Sequence, residues 1–201
     1  QHLGHDMMGQ VGTPVVAVES GYVEALGWNQ YGGWRLGIRS FDHKRYYYYA
    51  HLRKNYPYQS GLEVGSVVQA GDVIGYLGRT GYSRTENTNN IDDPHLHFGL
   101  ELIFDESQKD SNNEIWVSCY ELVKFLNLNR CEAVKVEGTK EWKRLYGIKD
   151  PLVPVQPATP SQAGPAAESQ AEPLAKSQAG PQTESQAGPQ TDPQAGSQAE
   201  S

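Results

Sequence analysis

The sequence predicts an all-β fold of antiparallel strands, with one short helix towards the C-terminal side and a disordered tail. Three observations carry that prediction. Apolar and β-branched runs alternate with Gly, Asn and Asp turns from residue 13 to residue 103. All 20 aromatic residues lie in the first 150 of 201 positions. The last 51 residues instead hold 9 Pro, 9 Gln, 10 Ala and 6 Ser, and so cannot bury enough apolar surface to offset chain entropy.

The strand-like runs are Thr13–Val18, Tyr22–Leu26, Trp34–Phe41, Arg45–Leu52, Ser66–Val68, Val73–Leu77 and His95–Ile103. Gly12-Thr-Pro-Val15 and Glu19-Ser-Gly21 punctuate the first pair, and Asp42–Lys44 reads as a hairpin loop. Residues 83–94 are polar and turn-rich, hence a long loop, and loops of that length in a compact domain are often functional. They could wall a groove. Beyond Asn112 the period changes: Cys119, Leu122, Val123 and Leu126 share a helical face that Glu121 and Lys124 avoid. A helix over 118–127 capped by Ser118 is expected. After Asp150 the unit Ser-Gln-Ala-Gly-Pro recurs at 161–165, 177–181 and 185–189 without any hydrophobic face, which predicts a low-complexity tail rather than a solenoid. The expected organisation is a β domain over 1–104, an extension with one packed helix over 105–150, and the tail over 151–201.

The net charge of −7 divides into −3 for residues 1–150 and −4 for the rest, so neither part is basic and nucleic acid is not an expected partner. No apolar run approaches the roughly 20 residues of a membrane-spanning helix. The chain opens at Gln1 without an initiating Met or a signal-peptide pattern, so it is expected to be a fragment, with any export signal or membrane anchor in a missing N-terminal part. Two cysteines are too few for a disulfide framework. On a single helix Cys119 and Cys131 would stand about 18 Å apart, against the roughly 7 Å that pairing allows, so both are expected to be unpaired.

The histidines are grouped. In Asp93-Pro-His-Leu-His-Phe98, strand alternation puts His95 and His97 on one face and Leu96 and Phe98 on the other. Two such imidazoles can ligate a metal, can divide ligation and assistance between them, or can form an ordinary cross-strand pair. The segment His2-Leu-Gly-His-Asp6 adds imidazole and carboxylate, both good zinc ligands. His5 could replace Asp6 or His2 there, or face solvent. In Tyr46-Tyr-Tyr-Tyr-Ala-His-Leu52, alternation predicts Tyr47, Tyr49 and His51 on one strand face, either as packing or as part of a site. His43 sits in the hairpin turn and is expected in solvent. The motifs of competing chemistries are missing: no His-Glu-x-x-His, Gly-x-Ser-x-Gly, Gly-x-x-x-x-Gly-Lys or Cys-x-x-Cys occurs. Three protein ligands with an open fourth position make a catalytic zinc site.

In order along the chain stand His2-x-Gly4-x-Asp6, Gly12-Thr-Pro-Val15, Tyr49-Ala-His-Leu52, Val64-Gly-x-x-Val-x-x-Gly-Asp-x-Ile-Gly75 and His95-Leu-His-Phe98. This series resembles the lysostaphin-type zinc metallopeptidases, which cut peptide bonds in peptidoglycan. The resemblance covers residues 1–104 and implies an antiparallel β-sheet/β-sandwich hybrid whose groove holds one zinc ion. It assigns His2, Asp6 and His97 as ligands, with His51 and His95 as unliganded histidines at the metal-bound water. Zinc lowers the pKa of such water from about 15.7 towards 7. A histidine is suited to take the remaining proton, and a second one to hydrogen-bond the oxyanion and protonate the leaving amine. The implied protein is a monomeric metalloendopeptidase acting on peptidoglycan peptide, in the bacterial cell envelope or outside the cell.

The alternative is a noncatalytic envelope scaffold or amidase regulator on the same fold. Such relatives usually lose a metal-site residue, whereas all five positions are filled here. An intracellular phosphocarrier of related architecture would not need the His/Asp pair. Val64–Gly78 also resembles the hairpin of biotinyl and lipoyl carrier domains, but it lacks a lysine at the turn and reads as scaffold. Two departures from the family pattern stand out. No strand or tyrosine precedes the first ligand, and Asp92-Asp93 stands directly before Pro94-His95, where it would alter the groove's electrostatics.

Overall fold

The central sheet takes its first strand from the chain start. In the computed structural model, which describes residues 4–109 and 111–154, β1 (His5–Met8) pairs with β8 (His95–Leu102). Sequence periodicity gave no sign of this four-residue strand. Next to β8 lie β5 (Arg45–Ala50), β4 (Gly33–Ser40), β3 (Gly21–Asn29) and β6 (Val67–Val68), while β9 (Ile115–Trp116) joins β8 beyond β1. Every pair is antiparallel. A second, smaller sheet pairs β2 (Pro14–Val16) with β7 (Val73–Tyr76), and β10 (Ala133–Lys135) with β11 (Trp142–Arg144) forms a separate ribbon.

The core lies between the central sheet and β2–β7. Leu36, Ile38, Tyr47, Tyr49 and Phe98 from the large sheet meet Val15 and Ile74 from the small one. Tyr49 and Phe98 are fully buried with ring centroids 5.4 Å apart, and each side chain of this size contributes about 1.5–3 kcal/mol by leaving water. Alternation sends the other residues of the same strands to the opposite face. There Gly37 is opposite Tyr48, Tyr48 opposite Gly99, and Ala50 opposite His97. Further along that face Arg39, 4% exposed, pairs with Glu24 and Glu106. Burial opposes ionisation of Glu24, but hydrogen bonds from Arg39 and Lys109 outweigh it and hold the carboxyl below its usual pKa.

The expected strands form within a few residues of their expected ends: β3 and β4 start one residue early, the others are trimmed, and β3 runs on to Asn29 through an irregularity between Val23 and Ala25. The helix α1 is Tyr120–Leu128 with Cys119 at its N-cap, and Ser118 does not cap it. The Cys119 side chain is buried in the core and anchors the first turn by packing, without any side-chain cap bond. Leu122 and Val123 pack behind it, on the face that periodicity assigned. Both cysteines are unpaired. From residue 155 onwards the tail expected over 151–201 lies outside the described residues. Among the described residues no helix is long and apolar enough to cross a membrane.

Candidate active site and metal centre

Strand β8 presents His95 and His97 on the face away from Leu96 and Phe98, as alternation requires. Asp6 is opposite His97, and its Oδ1 lies 2.8 Å from His97 Nδ1 and 3.9 Å from His95 Nε2. Gly4 lets the chain cross closely over this pair. Its φ is +148°, and a Cβ there would stand 2.8 Å from the His97 ring and 2.7 Å from the Phe98 carbonyl. His5 is opposite Phe98, on the other face, with its ring 6.0 Å from Tyr120. It is not a member of the cluster. His2 lies outside the described residues. His43 is exposed in its hairpin, as expected.

His51 departs from the expected face. Strand β5 ends at Ala50, and His51 adopts a left-handed φ of 60°. That turn carries its ring away from Tyr47 and Tyr49 to the opposite face, where the centroid is 4.8 Å from His95 and 5.8 Å from His97. A non-glycine residue in this region costs on the order of 1 kcal/mol or more and needs support from its surroundings. The His51 amide donates to Gly32 O over 2.8 Å, and its Nδ1 lies 2.9 Å from Thr80 O. A carbonyl can only accept, so Nδ1 carries the proton and Nε2 keeps its lone pair. The same argument fixes His95, whose Nδ1 is 2.8 Å from Asp93 O. Burial pushes the His51 pKa down to about 4 against the opposing hydrogen bond with Thr80, so the ring is a neutral proton acceptor at neutral pH.

Aromatic pairs flank the imidazoles on both sides. Tyr82 stacks on His51 with centroids 5.9 Å apart and stands edge-on to Tyr31 at 6.3 Å. The 83–94 loop is tied into this side of the site: Asn87 Oδ1 accepts from Trp34 Nε1 at 2.9 Å and from the Asn55 amide at 2.8 Å. On the other side Tyr48 lies 6.1 Å from His97, and Trp116 meets Tyr48 edge-on at 6.2 Å. Trp116 Nε1 donates to Glu114 over 2.8 Å. Sequence reasoning missed Thr80, Tyr82 and Trp116. Trp116 belongs to a stretch without any recognised motif, although its position opposite Glu101 puts it on the His97 face.

Among the described residues no group of three or more His, Cys, Asp or Glu side chains could hold a metal ion by itself. Asp6 and His97 supply two donors side by side, one carboxylate oxygen and one imidazole nitrogen, a combination that suits zinc. The third ligand implied by the sequence, His2, precedes Gly4 in the undescribed start.

Residues 1–111, more than half of the chain, match peptidase family M23. The chain belongs to peptidase family M23. Among curated relatives, an L-Ala–D-Glu endopeptidase of Bacillus subtilis is 39% identical over 99 residues, 49% of this chain and 29% of that protein. Lysostaphin of Staphylococcus simulans is 39% identical over 98 residues, 48% of this chain and 17% of its own. This M23 chain thus spans less than a third of the length of either relative. A solved structure from Ruminococcus gnavus, assigned as the glycyl-glycine endopeptidase lytM, superposes with a TM-score of 0.51 and 35% identity, over 62% of this chain and 47% of its own. Trp116 and α1 lie beyond the family match, so the M23 domain is walled in part by sequence outside it.

Proposed function

We propose that this chain is a zinc-dependent metalloendopeptidase that hydrolyses peptide bonds of bacterial peptidoglycan, in the cell envelope or outside the cell. The observation that carries the reading is the convergence of Asp6, His51, His95 and His97 on one sheet face, with the Nε2 lone pairs of His51 and His95 both available. Family membership supports it. His2, Asp6 and His97 would hold the ion. Bound there, zinc supplies Lewis-acid chemistry, polarising the scissile carbonyl and acidifying water.

The chain's own groups do the rest. His51, neutral and held by Thr80, accepts a proton at Nε2 from the attacking water. His95, its Nδ1–H engaged by Asp93, uses Nε2 to stabilise developing charge and to return a proton to the leaving amine. Tyr31–Tyr82 and Tyr48–Trp116 border the peptide on either side and limit water access. The monomer and the single zinc ion belong to this proposal too.

The test is release of new amino termini from purified peptidoglycan. The proposal expects release that a chelator abolishes and added zinc restores. Release indifferent to the chelator would overturn the zinc requirement. No release from any wall type would overturn the hydrolase reading.

A further inference from the structure

Strand β4 carries on the groove face a cation that has no counterion among the described residues. Arg35 is two residues before Gly37, which is opposite Tyr48, so Arg35 shares the face of Tyr48 and His97. The register that sets Leu36 opposite Tyr49 brings Arg35 beside Ala50, and Ala50 is opposite His97. Two strand spacings of about 4.8 Å separate the Arg35 and His97 backbones. Its charge reaches the Tyr48 phenol.

Among the described residues the buried guanidinium Nη1 has no hydrogen-bond partner and no carboxylate pairs with this side chain. Arg39, on the same strand and face, pairs with Glu24 and Glu106. Arg53 and Arg79 also hold a buried guanidinium nitrogen without a partner among the described residues, but neither belongs to β4. A buried donor on a charged group is costly to leave unmade, and a guanidinium fork is shaped for a carboxylate.

We infer that Arg35 is a carboxylate-binding residue of the groove, selecting peptides that carry a free carboxylate within about three residues of the cleaved bond, at ~3.3 Å per extended residue. This deepens the hydrolase reading and rests on it for the word substrate. The carboxylate engages the guanidinium edge beside Tyr48, and the side chain turns towards the groove to bring Nη1 to it.

The experiment compares a peptidoglycan stem peptide with its carboxylates free against the same peptide fully amidated. Cleavage and equilibrium binding are both measured on the whole chain loaded with zinc. Wild type is expected to favour the free acid about tenfold in KM and in Kd. R35Q removes that preference by raising KM for the acid, with kcat within about twofold and the amide unaffected. R35K, which keeps the charge but not the fork, falls between and serves if R35Q fails to fold. An R35Q protein that retains the wild-type preference, or a wild type indifferent to amidation, overturns the inference. Carboxylate-dependent binding without turnover upholds the subsite and overturns the hydrolase reading. Turnover indifferent to the carboxylate does the reverse.

Discussion

Thr80 holds His51 through its main chain: the Thr80 carbonyl accepts from His51 Nδ1 over 2.9 Å. The Thr80 side chain is fully buried, donates to Leu52 O over 2.6 Å and accepts from the Trp34 amide at 3.1 Å. One residue thereby fixes the tautomer of His51 and joins the two segments beside it.

Replacing Thr80 by Val leaves the Leu52 carbonyl and the Trp34 amide without partners. The expected loss is about 2–3 kcal/mol in urea unfolding, with a fall in kcat as the His51 ring loses its setting. Thr80→Ser keeps the hydroxyl and restores most of both. Equal losses for the two variants would contradict this role.

Stability of the zinc-free protein should depend on pH through His51. Its folded pKa, lowered to about 4 by burial, lies below the unfolded value near 6.5. Between those values the unfolded chain binds more protons, so the contribution is complete above about pH 6.5 and is lost as pH falls towards 4. The full loss is roughly 3 kcal/mol. H51N, whose side chain tolerates the left-handed backbone, should lack this slope. Urea melts at several pH values decide it, and parallel curves for the two proteins would refute it.

Trp116 walls the groove without touching the histidines. W116A should raise KM for a peptide substrate about two- to tenfold, the range of one aromatic pair, and leave kcat unchanged. A matching fall in kcat would place the indole in the chemistry instead.

Arg39 tests the far end of the same sheet face. Its side chain is nearly all buried, but R39M leaves Glu24 still paired with Lys109 and Glu106 in solvent, so the substitution should cost about 1–3 kcal/mol. Thermal melting measures this. Zinc affinity should stay as in the wild type, because neither Arg39 nor its partners adjoin Asp6 or His97.

How far the sequence revealed this molecule depended on the length of each element. His95 and His97 lie in an eight-residue strand, long enough for period two to be read, and both face the groove as expected. The same rule misplaced His51, because one left-handed residue after Ala50 reverses the face and leaves no mark in the hydrophobic pattern. Strands β1 and β9, of four and two residues, have no period to read, and unlike the equally short Val67–Val68 they carry no run of β-branched residues. They exist because β8 offers them an edge. Trp116 entered the site by that route. Ser118 failed as a cap because the neighbouring Cys119 side chain already had a place in the core.

Hydrolysis of cell-wall peptide in the groove at Asp6, His51, His95 and His97 is the activity proposed for this chain. Mass spectrometry of fragments released from purified peptidoglycan tests it most directly, with wild type beside H97A and H51N, each checked for folding. New peptide termini from the wild type alone are the predicted result, and their masses identify the bond cut. The same termini from H97A, or none from folded, zinc-loaded wild type on walls of several cross-link types, would contradict it.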